Sequence, residues 1–158
     1  MDPNAVDFAV AAFREEGRWT VTALPARMAA SAESLIAALR QLPGEGGTFG
    51  FVGAADDYFV AVRVSAGQVR GVISDALAIL DSPLAEELAD VLQVEVDDEE
   101  LEDYVAIGDL GIFADFGLDA DELELVCEDE ELYPDEQVRS IANRLGFGAE
   151  LRLALGAR

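Results

Sequence analysis

The 158-residue chain contains no lysine and no histidine, a single cysteine, and no basic residue of any kind between Arg70 and Arg139. Each absence removes a class of chemistry. Without histidine the chain lacks the commonest general base, the usual partner in a nucleophilic triad and the main nitrogen ligand for metals. Without lysine it has no Schiff-base nucleophile and no phosphate-binding lysine of a P-loop. One cysteine, Cys127, excludes an internal disulfide and a cysteine-based metal cluster. It shares the apolar phase of a predicted helix with Leu123 and Val126, which marks a buried structural thiol. No apolar run approaches the ~20 residues that span a bilayer. The start, Met1-Asp2-Pro3-Asn4, has neither the basic residues nor the apolar stretch of a secretory leader. The expectation is a cytoplasmic protein with no membrane partner.

What is present in excess is carboxylate. Twenty-four of the thirty-three acids lie between Arg70 and Arg139, so the net charge of −23 belongs almost wholly to one stretch. Like charges ~10 Å apart repel by ~0.4 kcal/mol in water before salt screens them, so most of these groups must face solvent. Such a surface repels phosphate backbones and attracts basic ones. It points to a basic protein partner, or else serves only to keep the protein soluble. The densest runs are Asp97, Asp98, Glu99, Glu100, Glu102 and Asp103, then Glu128, Asp129, Glu130 and Glu131. Both are too dense to be buried and lie beside predicted helix boundaries, which makes them the candidate partner-binding residues. A hydrophobic fraction of 51% argues for a real core and against disorder.

The periodicity changes once along the chain. Val6, Phe8 and Val10 alternate with Asp7 and Ala9, and after Glu15-Glu16-Gly17 the residues Trp19, Val21 and Ala23 alternate with Thr20 and Thr22, the signature of a hairpin. Ser31 stands as N-cap to a helix over 31–42 that gathers Leu35, Ile36, Leu39 and Leu42 on one face. Strands follow at 48–52, 58–65 and 68–74, with connections short enough for antiparallel pairing. The reading is an α+β fold: an antiparallel five-stranded sheet, ββαβββ, over residues 1–74 with helices on one face. Residues 75–158 are read as a highly acidic helical region packed on that sheet in one compact unit. Helices are predicted after Ser74-Asp75, from Pro83, and over 109–116, 121–128, 134–145 and 148–155. Residues 94–103 read as a loop or a short edge strand.

Carboxylates alone can bind Mg²⁺ or Ca²⁺ or act as an acid/base pair. The calcium-loop template fails where it comes closest, because counting from Asp115 places Ala120 at the position that requires glycine. Neither a catalytic residue, a metal site nor a cofactor is assigned. Trp19, Phe49, Phe51, Tyr58 and Phe59 on strands, with Arg63 and Arg70 nearby, have the composition of a base-stacking platform. Strand aromatics usually form core, however, and two arginines cannot supply the phosphate neutralisation that RNA affinity needs at this net charge. Direct nucleic-acid binding is not expected.

Several strings resemble the actinobacterial tRNA adenosine deaminase-associated proteins. They are Asp56-Asp57-Tyr58-Phe59-Val60-Ala61-Val62-Arg63-Val64, Val72-Ile73-Ser74-Asp75-Ala76, Ile107-Gly108-Asp109-Leu110 with Leu118 beyond, and the closing helices through Arg144-Leu145-Gly146-Phe147. The resemblance covers most of the chain, and its strings are structural, not catalytic. It implies association with a tRNA adenosine deaminase and supplies no catalytic residue. The chain cannot itself be a zinc deaminase, which requires His/Cys ligands and H-x-E and P-C-x-x-C contexts. Three readings follow. The first is a non-catalytic accessory protein that holds a basic partner, the deaminase, on its acidic surface. The second is a self-associating protein, a homodimer pairing through the sheet or an apolar helix face. The third is a carboxylate-based Mg/Ca or small-ligand binder.

Overall fold

Two hairpins with the same turn geometry set the sheet. Strand β1 (Val6–Glu15) turns into β2 (Arg18–Ala23) through Glu16-Gly17, and β4 (Tyr58–Ser65) into β5 (Gln68–Ile73) through Ala66-Gly67. Both residues of each turn have positive φ, 51° and 78° in the first and 50° and 82° in the second. That mirror-image turn matches the right-handed twist of paired strands. The computed structural model describes residues 6–42, 44, 46–54, 57–94, 105–129 and 131–155.

Strand β3 (Thr48–Ala54) lies between the hairpins, and a two-residue strand, β6 (Ile107–Gly108), pairs with β5. The order is β2-β1-β3-β4-β5-β6, antiparallel throughout. Among the described residues the sheet therefore has six strands, not the five expected. Two residues are too short to show an alternating pattern, and β6 owes its place to a close approach. Gly108 has φ 111°, and a Cβ on it would lie 2.4 Å from the Gly71 carbonyl oxygen.

Helices cover both faces, where the sequence reading placed them on one. One register row, Val10–Phe51–Ala61–Val72, faces a layer built from α4 (Ala120–Glu128), α5 (Pro134–Leu145) and α6 (Gly148–Leu155). On that side Phe49, Phe51, Phe59, Ile112, Phe113, Leu123, Val138, Ile141, Phe147 and Leu151 are all buried. The opposite row contains Val52, Val60, Val62 and Ile73 and packs on α1 (Ala32–Arg40) and α3 (Pro83–Val91), with the single turn α2 (Ala78–Asp81) beside them. Every residue of β3 is buried, the mark of a strand covered on both sides.

The helix ends follow the side chains at them. The Ser31 hydroxyl accepts from the Ser34 amide at 3.1 Å, Ser82 from Ala85 at 3.3 Å and Asp119 from Glu122 at 2.9 Å. Glu136 reaches back to the Tyr133 amide at 3.1 Å to open α5, and Gly146 in the left-handed region closes it. The helix expected over 109–116 is instead a series of turns ending in a 3-10 turn at Ala114–Phe116. Its backbone is held from outside: Asp109 Oδ1 accepts from the Gly111 amide, while Arg70 and Arg63 take the carbonyls of Gly111 and Ile112.

Candidate partner-binding surface

The first acidic run, Asp97, Asp98, Glu99, Glu100, Glu102 and Asp103, lies outside the described residues, as does Glu130. Glu128, Asp129 and Glu131 are exposed where α4 turns into α5. The Asp129 carboxylate accepts from the Glu131 amide at 3.0 Å. Buried Gln137 ties the two helices together by donating to the carbonyls of Val126 and Cys127 at 2.9 and 3.3 Å. These are carbonyls that a helix C-terminus leaves without intrahelical partners.

The surface here extends beyond the predicted residues. Asp121, Glu124 and Glu128 are exposed along α4, and Leu125 among them is 67% exposed. Tyr133, at the start of α5, is 60% exposed. Aromatic and aliphatic side chains inside a charged rim are the usual composition of a protein interface. Neither Leu125 nor Tyr133 belongs to the two acidic runs that the sequence singles out. A signal for Leu125 existed in the helix period: it stands two residues from Leu123 and from Cys127, off the arc that those buried residues define.

Arginines neutralise only part of this acidity. Arg70 Nε meets Asp109 at 2.6 Å, Arg139 lies 3.7 Å from Asp135, and Arg144 pairs with Glu122 and donates to the Gly117 carbonyl. Arg63 is almost fully buried, with Nη1 and Nη2 each 2.8 Å from an oxygen of Asp115. It also donates to the carbonyls of Ile112 and Gly46, and its guanidinium lies 5.1 and 5.2 Å from the ring centres of Phe49 and Phe116. The hydrogen bonds from Arg63 hold the Asp115 carboxyl below its ordinary value, against a smaller opposing effect of partial burial. Arg63 and Arg70 sit opposite each other on β4 and β5, and both are spent on the 109–115 backbone and its carboxylates. The strand aromatics are spent too. Phe49, Phe51 and Phe59 are buried in the core, and Trp19 packs against Phe147 at 4.7 Å.

Cys127 is 1% exposed, and burial, reinforced by Glu128 and Glu124, pushes its thiol up to about 12. It carries no thiolate at neutral pH. Among the described residues no group of three or more His, Cys, Asp or Glu side chains is placed to hold a metal ion. A cavity of about 300 Å³ on the opposite side of the sheet is lined chiefly by Val6, Ala26, Ala29, Ala54 and Leu84, with Arg27 and the Tyr58 and Ser82 hydroxyls. Among the described residues no carboxylate lines it. No described helix is long and apolar enough to cross a membrane.

Residues 7–148 match the family described as Rv3753c-like tRNA adenosine deaminase-associated protein. The chain is 38% identical over 146 residues to Protein Rv3753c of Mycobacterium tuberculosis (strain ATCC 25618 / H37Rv), an alignment covering 91% of this chain and 84% of that protein. No solved structure matches it. The chain belongs to the Rv3753c-like tRNA adenosine deaminase-associated protein family.

Proposed function

We propose that this protein is a non-catalytic accessory protein that binds a tRNA adenosine deaminase in the cytoplasm. The observation that carries the reading is the exposed, acidic α4–α5 surface with Leu125 and Tyr133 set in it, on a chain whose family is described by association with that enzyme. An enzyme that binds tRNA presents a basic surface, and carboxylates complement it. Glu128, Asp129 and Glu131 form the contact rim among the described residues; Glu130 and the run Asp97, Asp98, Glu99, Glu100, Glu102 and Asp103 are proposed as partner-binding from their sequence alone. Leu125 and Tyr133 supply the apolar anchors.

A non-catalytic role is supported by the chemistry that is missing. There is no histidine, and the one thiol is buried and protonated. Direct RNA binding is opposed by the net charge and by the internal use of Arg63 and Arg70. The test is co-purification with the deaminase encoded in the same genome, at low and high salt, followed by tRNA deamination with and without this protein. A complex that weakens as salt rises is the expected result. Failure to associate at low salt would remove the reading.

A further inference from the structure

The two edges of the sheet differ. At one end β6 offers two residues beside Asp109. At the other, β2 runs six residues from Arg18 to Ala23. Leu24 donates to the Ala9 carbonyl at 2.8 Å, which fixes the alternation along β2. Thr22, Thr20 and Arg18 turn their backbone groups toward β1, and Trp19, Val21 and Ala23 turn theirs outward. No described residue pairs with those outward groups. Exposed edges are normally blunted by a charge, a proline, a bulge or a covering element. Between Trp19 and Ala23 there is no charge and no proline, and the β1–β2 register is unbroken.

We propose that a second copy of this chain covers that edge, pairing β2 with β2 antiparallel across a two-fold axis at Val21 and joining two sheets into one. The register is self-complementary. Val21 faces its own counterpart, Trp19 faces Ala23 of the second copy, and Thr20 faces Thr22, a favourable cross-strand pair. The one charge on the strand, Arg18, falls opposite Leu24, leaving the two Arg18 side chains about 20 Å apart along the strands. At the far edge, Asp109 beside β6 lies five strand spacings away, about 24 Å, well beyond a Debye length of about 8 Å. Helix α6 packs on β2, and a two-fold axis normal to the sheet brings it alongside its counterpart. Its Leu153, 84% exposed, adds apolar surface beyond what six residues of strand provide.

The test is sedimentation of the full chain, with hydrogen exchange read at single amides. A dimer is expected in which the outward amides of Trp19, Val21 and Ala23 gain protection as concentration rises, while those of Thr20 and Thr22 are protected throughout. The double variant Thr20→Lys, Thr22→Lys opposes two like-charged pairs and should weaken the dimer by about tenfold or more. Thr20→Glu with Thr22→Lys should restore it, a recovery that a merely unfolded strand would not show. Val21→Pro removes an outward N–H that β1 does not use, and should give a folded monomer. A wild-type monomer at high concentration, or a dimer indifferent to the two-lysine variant, would overturn the proposal.

Discussion

The guanidinium of Arg63 and the carboxylate of Asp115 meet edge to edge, two contacts of 2.8 Å, although the first side chain is 7% exposed and the second 56%. The pair joins β4 to the turns before α4, and the same guanidinium donates to the Gly46 carbonyl just ahead of β3. A planar fork makes all of these bonds at once, and a point charge cannot.

Arg63→Lys is therefore expected to cost about 2–3 kcal/mol, since it loses the bidentate pair and leaves buried carbonyls short of donors. Asp115→Asn, which leaves an acceptor on a half-exposed residue, should cost about 1 kcal/mol. Denaturant unfolding of both variants checks the ordering; equal costs would mean that the buried fork is not what holds the turns.

The same pair predicts a pH dependence. Asp115 titrates below 3.8 in the folded protein because Arg63 hydrogen-bonds its charged form. Its contribution is full above that value, where both states are ionised, and is lost as pH falls through the lower, folded one. The wild type should lose stability relative to Asp115→Asn on acidification below pH ~4. Parallel curves for the two proteins in that window would contradict it.

Tyr58 and Ser82 share a buried hydroxyl–hydroxyl hydrogen bond, and Ser82 also caps α3. Ser82→Ala should cost about 1–2 kcal/mol, through the lost cap and the stranded phenol. Burial raises the Tyr58 ionisation above 10.0, with Asp57 adding to it and Ser82 opposing it. Above pH ~10 the unfolded chain ionises first, so stability falls there. Tyr58→Phe should flatten that alkaline limb, which an unfolding series from pH 9 upward would reveal.

Two backbone positions should respond with opposite sign. A Cβ on Gly53 would lie 2.1 Å from the Phe8 ring, so Gly53→Ala should cost about 1–3 kcal/mol. Ala66 holds φ 50° in the β4–β5 turn, a conformation that asparagine tolerates better, and Ala66→Asn should gain about 0.5 kcal/mol. Thermal melts of the two variants should move in opposite directions.

At the α4–α5 surface, Glu128→Arg with Glu131→Arg should slow association with the deaminase and reduce its salt dependence. Leu125→Ala should instead speed dissociation, as loss of an apolar anchor does. Surface-immobilised binding kinetics separate the two, and unchanged rates in both variants would move the interface elsewhere.

Local signals were enough for much of this protein. Pro134 and Gly148 open helices at the predicted positions, Ser31 caps its helix, and both hairpins turn where Gly17 and Gly67 allow it. Each of these depends on residues within a few positions of one another. The confinement of 24 carboxylates to one stretch was equally legible, being a matter of counting. Tertiary structure decided what depends on distant partners. Alternation in β3 and β4 shows which residues share a face but not that both faces are covered, because the second layer comes from helices up to a hundred residues away. The 109–116 segment has helical spacing, yet it is held in turns by two arginines from strands 49 and 41 residues earlier. Arg63 and Arg70 can be placed on adjacent strands from the period alone, but only the folded chain brings Asp115 and Asp109 to them, because those carboxylates lie about fifty and forty residues further on.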